Sequence, residues 1–218
     1  MTTIEGVELD IGPEAVVVTS ATPLTVLSSA IAGGGLGRAR VIMNLHVEKN
    51  RPWEDAEVGL AAFAARRRLP APWVGLLTAA ATDRARVAIE RVGALAALVV
   101  ASVGLSNRVA AGWSAPAAMG PGTINTIAVV DAPVEPAALV NLAVTLTEVK
   151  ALVLAEAGVR CGDRAASGTS TDAVVVASTG RGRVVHFGGP ISEAGWVVAR
   201  AARMALAEGV GRWQEEHQ

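Results

Sequence analysis

The chain holds no tyrosine, two phenylalanines and one cysteine among its 218 residues. Without tyrosine, no phenol can serve as an acid or a base. With Cys161 alone there is no internal disulfide, which fits a reducing compartment, so a cytoplasmic location is expected. The histidines, His46, His186 and His217, are scattered, and no H-x-x-H or C-x-x-C spacing occurs. Neither a metal site nor a cofactor is expected. A charge excess is also missing. The net charge of −1 gives no electrostatic reason to bind nucleic acid. Arg66, Arg67 and Arg68 read as the solvated end of a helix, where cations suit the dipole. The longest apolar run, near 92–105, spans about 14 residues, short of the about 20 that cross a bilayer, so no membrane partner is expected. Residues 1–5 lack a positive region followed by an apolar one, and no signal peptide is expected. No G-x-S-x-G elbow occurs either.

What is there is mostly alanine, valine and leucine. Hydrophobic residues make up 51% of the chain, enough for one domain over 1–218 with a full core. Residues 6–10 alternate, Gly12-Pro13 turns, and 15–19 is β-branched, which predicts a hairpin. Thr22-Pro23 reads as a helix start, with Leu24, Leu27 and Ile31 on one stripe and Gly33, Gly34 and Gly35 as the stop. A strand is predicted over 39–47, with Asn44 and His46 on one face. Further helices are predicted over 53–68 and 83–92, and strands over 74–78 and 95–103. Residues 107–122 read as a long loop and 123–130 as a strand. The helix predicted over 137–157 is apolar on nearly every face and so belongs in the middle of the protein. Strands at 173–177 and 184–187 precede a last helix over 192–214. The expected class is α+β: a single domain with a mixed β-sheet packed with helices, including one buried central helix.

Three groups of residues suggest chemistry. Asn141, Thr145 and Glu148 form one polar line on the apolar helix. A buried Glu148 would be either a general base or half of a structural ion pair, with Lys150 bonding elsewhere. Ser167 to Asp172 reads equally as an oxyanion or amide cradle, or as a loop closed by Asp172 through an Asx turn. Gly33, Gly34, Gly35 and Gly37 follow a helical pattern without a Lys-Ser/Thr end, so they form neither a P-loop nor a dinucleotide fingerprint. They would suit a broad flat ligand resting on backbone. His46 is either an acid/base group or a partly exposed strand histidine.

Taken in order, several segments resemble the adenosylcobinamide amidohydrolases of corrinoid salvage. They are Pro23-Leu24-Thr25-Val26-Leu27-Ser28-Ser29-Ala30, Gly33-Gly34-Gly35, Asn44-Leu45-His46-Val47, and Val74-Gly75-Leu76-Leu77-Thr78-Ala79-Ala80. Ser106-Asn107, Gly122-Thr123-Ile124-Asn125-Thr126, Thr147-Glu148-Val149-Lys150 and Gly168-Thr169-Ser170-Thr171-Asp172-Ala173 follow. Val149 stands where the family often has Ala, and Ser167 where it often has Thr.

The resemblance implies hydrolysis of the amide joining the aminopropanol arm to the corrin ring, giving adenosylcobyric acid and 1-amino-2-propanol. The expected partner is a corrinoid small molecule, and a homo-oligomer is compatible with the reading. Residue chemistry then suggests the roles. Glu148 is the base for an attacking water, Thr169 or Ser170 or backbone near Gly168 holds the oxyanion, and His46 protonates the leaving amine. Asp172 completes the catalytic set. Asn44 and Asn125 bond the substrate's amides, with Ser28, Ser29, Gly33, Gly34, Thr123 and Thr171 as further contacts. A second mechanism uses Thr123 or Thr169 as nucleophile. The alternatives are a non-catalytic corrinoid binder and a hydrolase of some other amide.

Overall fold

A computed structural model describes residues 4–48, 55–117 and 123–217. The chain opens with the hairpin β1 (Val7–Ile11) and β2 (Ala15–Ser28), then β3 (Gly35–His46), α1 (Ala56–Arg66) and β4 (Trp73–Thr78). A 3-10 turn at Thr82–Arg84 leads to β5 (Arg86–Val92), β6 (Leu95–Val103), the short β7 (Arg108–Val109) and β8 (Ile124–Val130). Next come α2 (Pro136–Glu156), the short β9 (Arg160–Cys161), β10 (Arg164–Ala165) and β11 (Gly168–Thr169), then β12 (Ala173–Ser178) and α3 (Glu193–Glu216).

Eight strands form one mixed sheet in the order β4-β3-β2-β12-β8-β6-β5, with β1 also on β2. Both β1 and β12 pair with β2, β1 along residues 16–20 and β12 along 25–28. Between these stretches the β2–β3 register shifts, from Thr19 to Leu24. An irregularity of this kind bends a strand. The sheet therefore folds over, and β2 serves both halves. Val16, Val18, Ile42 and Leu76 from one half meet Leu98, Val100, Ile127 and Val175 from the other in a shared core. On the outer side of the second half, Val99, Ala128 and Val176 pack under α2 and α3. On the outer side of the first, Val17, Val41 and Met43 pack under Leu60 and Phe63 of α1. The layers run helix, sheet, sheet, helix. Both faces of β6 and β8 are therefore covered, which is why β6 is apolar over 95–101 and β8 over 127–130.

The α+β class, the mixed sheet and the first hairpin are as expected, and β6 matches its expected bounds. Two expected helices are strands. Residues 23–28 complete β2, where Leu24, Val26 and Ser28 are buried while Thr25 and Leu27 are half-buried, and 29–31 lie in the turn after it. Period two wins there because the segment pairs with both β3 and β12. Residues 86–92 form β5, held antiparallel to β6 along its whole length. At 184–187 there is only an isolated bridge, Val134 to Val185. The helix expected over 53–68 is described from Ala56, and Trp53 lies outside the described residues. Helix α2 buries Leu139, Leu142 and Leu146, but Val140, Val144 and Leu152 are exposed. It covers the sheet as an outer layer and is not enclosed on all sides. By length and composition it could also cross a membrane, although nearly half of its apolar window is buried against the protein.

This packing separates two substitutions. Ile127→Ala opens a void between the sheet layers and should cost about 2–5 kcal/mol of unfolding free energy in urea melts. Val144→Ala, on the exposed flank of α2, should stay within about 0.5 kcal/mol of the parent.

Candidate active site

Strands β8 and β12 run parallel and start side by side, with Asn125 opposite Ala173. Thr123 immediately precedes β8, and Asp172 immediately precedes β12. The turn leading to Asp172 is anchored where β11 pairs with β7.

Asp172 is the charged centre of this strand end. Its Oδ1 accepts from the Ile124 N–H at 2.9 Å and from the Thr169 hydroxyl at 2.5 Å. Its Oδ2 accepts from the Thr169 N–H at 3.1 Å and from the Lys150 ammonium, on α2, at 2.5 Å. The Lys150 and Asp172 side chains are only 11% and 10% exposed. Such a pair is tolerable at this depth because further hydrogen bonds satisfy the carboxylate. Gly168 lies against both groups, and a Cβ there would strike the Asp172 carboxylate and come within 2.9 Å of Lys150 Nζ.

Beside it runs a neutral network between the sheet layers. Thr123 Oγ1 lies 2.9 Å from Asn125 Oδ1 and 2.8 Å from the Thr171 carbonyl, and can donate to either. Asn125 Nδ2 donates to Asn44 Oδ1 at 2.8 Å and to the Leu77 carbonyl at 2.9 Å. Asn44 Nδ2 donates to Ser102 Oγ at 3.1 Å. The three side chains Asn44, Ser102 and Asn125 are buried, and their bonds to one another remove the cost of burying amides.

A pocket of about 380 Å³ opens at the same strand ends, lined by Ser29, Ile31, Leu76, Leu77, Ser170, Thr171, Asp172 and Ala173. Asn107 Nδ2 donates to Ser170 Oγ at 2.5 Å. Ser29 Oγ accepts from Val174 N at 2.9 Å, which ties the end of β2 to β12. A second cavity, of about 270 Å³, lies between α3 and the end of β6, lined by Arg84, Arg212, Trp213 and Glu216 among others. There the Arg212 hydrogen bond holds the exposed Glu216 carboxyl below the usual range.

Of the residues expected from sequence, Ser29, Gly168, Thr169, Ser170, Thr171, Asp172, Thr123 and Asn125 do come together. Others do not. Glu148 is exposed on α2, so the burial that suggested a base is absent. Of its polar line only Thr145 is buried, and it donates to the Gly188 carbonyl at 3.0 Å. His46 is exposed, and its Nδ1 lies 3.0 Å from the Ala80 carbonyl, away from the pocket wall. Asn44 and Asn125 are occupied with each other and brace Thr123 instead of facing the pocket. Ser28 is buried and accepts from Ala30 N at 2.9 Å, shaping the turn. At Gly33 and Gly34 the space for a side chain is filled by the Trp73 and Ala30 carbonyls, so chain packing accounts for these glycines. Gly35 and Gly37 face open space instead. Gly122 lies outside the described residues. Lys150, Ser102 and Asn107 received no site role from sequence. A serine inside the apolar β6, and a lysine on the apolar α2, were the available signals. Among the described residues no three His, Cys, Asp or Glu side chains converge as metal ligands.

Gly168→Ala should therefore cost about 1–3 kcal/mol by forcing the ion pair aside, as read from the urea midpoint. Gly37→Ala meets nothing within 4 Å and has no positive φ, and the same melts should show no loss.

A curated adenosylcobinamide amidohydrolase from Halobacterium salinarum is 36% identical over 154 residues, which cover 67% of this chain and 60% of that protein. The chain thus spans about three-fifths of its relative's length. The PH0078 protein from Pyrococcus horikoshii OT3 aligns over 94% of this chain and 82% of its own, at 12% identity and a TM-score of 0.48. An L-aminopeptidase D-Ala-esterase/amidase from Ochrobactrum anthropi, described as a variant of the Ntn hydrolase fold, aligns over the same shares at 12% identity and 0.40. The family profile described as adenosylcobinamide amidohydrolase matches residues 2–218, nearly the whole chain. By that match the chain belongs to the adenosylcobinamide amidohydrolase family.

Proposed function

We propose that this protein hydrolyses the amide between the corrin ring and the aminopropanol arm of adenosylcobinamide. One water is consumed, the C–N bond breaks, and adenosylcobyric acid and 1-amino-2-propanol leave. The match to the family over residues 2–218 carries this reading. The pocket supports it. Its volume of about 380 Å³ admits a short arm while a corrin ring stays at the mouth. Hydroxyls of Ser29, Ser170 and Thr171 on its wall suit an amide.

Among the described residues, Asp172 is the only ionisable side chain on that wall. Its carboxylate is already surrounded by donors, two of them backbone N–H groups that cannot turn away. The Thr169 hydroxyl can turn. In this mechanism Thr169 passes its proton to Asp172 and takes one from the attacking water, and the proton held by Asp172 then returns through Thr169 to the leaving nitrogen. Ser170 accepts from Asn107, so its own proton is available for the oxygen that becomes negative in the tetrahedral intermediate.

The position of Thr123 favours a second mechanism. Its hydroxyl sits between Asn125 and the pocket residue Thr171. Both acceptors are neutral oxygens and neither is a base, so attack by Thr123 would need an amine released by scission before it. We favour water and an unbroken chain.

Incubation with adenosylcobinamide, followed by mass spectrometry of the corrinoid, should show loss of the arm. Unchanged corrinoid at high protein concentration across a range of pH, with and without divalent metals, would refute the activity. Asp172→Asn should lower turnover by about 100-fold or more, as expected for an acid/base group, whereas Glu148→Gln should remain close to the parent. Intact-mass measurement of active protein should give one species near 22.2 kDa, with or without Met1. Two fragments meeting at Thr123 would replace water with the threonine.

A further inference from the structure

Helix α2 is apolar along most of its length, yet at Lys150 it turns an ammonium inward to a carboxylate. That placement serves no packing need, because a methionine would fill the same path. The carboxylate it meets also fixes two backbone groups, Ile124 N and Thr169 N, and the Thr169 hydroxyl. Gly168 leaves just the room the pair requires. No other cation faces Asp172 in the described contacts. Arg108, beside Thr169 in the β7–β11 ladder, directs its guanidinium to the Trp213 ring at 5.9 Å, and the neighbouring end of β2 presents the uncharged Ser28 and Ser29.

We propose that Lys150 is the positioning residue of the site. Its ammonium holds the Asp172 carboxylate against Gly168, and through that carboxylate it sets the Thr169 hydroxyl and the start of β8 in working register. This rests on the proposed hydrolysis for its kinetic consequence, but the geometric part stands apart from it. Lys150 touches no substrate. Its removal should lower kcat and leave KM nearly unchanged, since the wall hydroxyls of Ser29 and Ser170 are held by Val174 N and Asn107 and not by Lys150. A displacement of reacting groups by about 1 Å can cost about 100-fold in rate.

The test compares Lys150→Met, Lys150→Gln and Lys150→Arg in the full chain, using adenosylcobinamide turnover and the backbone amide NMR signals of Ile124 and Thr169. The expected order of kcat is Arg, then Gln, then Met. The Met variant should fall by about 100-fold, KM should stay within about threefold, and the two amide signals should shift in the same order. If Met does not fold, Gln and Arg carry the comparison. Folded variants that keep the parent kcat and unshifted amide signals would overturn the proposal and leave Lys150 a purely structural partner. A parent protein that releases no amine would defeat the hydrolysis reading alone, because the amide signals still decide whether Lys150 positions Asp172.

Discussion

The bend in β2 between Thr19 and Leu24 is the constraint on which the other features rest. Before the bend β2 carries β1, after it β12, and β3 follows along its other edge. A flat ribbon of this length would expose one face of every strand. Folding it over gives the apolar residues of both halves one another as partners, and the helices then cover the outer faces. The composition suits such thin layers. Valine and alanine fill the space between two sheets without the bulk that phenylalanine or tyrosine would bring. The scarcity of aromatics is consistent with a chain whose strands are mostly covered on both sides.

The same fold brings Asn44, near the end of β3, to Asn125, near the start of β8, although 81 residues separate them. Burying two primary amides without partners would cost several kcal/mol. Here each one satisfies the other, and Ser102, Leu77 and Thr123 take the remaining bonds. The network pins the two sheet layers together at the end where the pocket opens. The charged contact beside it adds a helix to the assembly. Lys150 ties α2 to the turn before β12, and Asp172 ties that turn to β8. Three layers therefore meet at one strand end, and the polar groups there are held from several directions.

How much of this was legible in the sequence depended on whether the decisive contact was local. The hairpin at 7–20, the buried β6 and the last helix follow from patterns within each segment. Ser192, for example, caps α3 by accepting from Gly195 N at 3.1 Å. Over 23–31, Thr-Pro and three spaced apolar residues imitate a helix start, whereas the partners that make 24–28 a strand lie at 35–39 and 175–178. Residues 86–92 failed for the same reason, since β6 alone decides their state. Glu148 was misread through α2. An apolar helix suggested burial all round, but the sheet and α3 cover only one flank, and Glu148 lies off it. Two positions further on, Lys150 points to the covered side, so the buried charge on this helix was the cation and not the anion.

The glycines show how similar sequence features part company in three dimensions. Gly33 and Gly34 face carbonyls of the chain itself, Gly168 faces the ion pair, and Gly35 and Gly37 face solvent. Only the last two leave their backbone open to a ligand, and they sit on the strand that follows the turn bearing Ser29 and Ile31. Ile31 and Leu36 are exposed nearby, although large apolar side chains usually gain by burial. The turn thus places a polar pocket wall at Ser29 beside an apolar and glycine-lined edge. A substrate with a short amide arm on a broad ring presents the same division: the arm needs hydrogen-bond partners and depth, whereas the ring needs surface without protruding side chains. The physical match lies in that division of surfaces more than in any single residue, and it is why the pocket can be much smaller than the molecule proposed to use it.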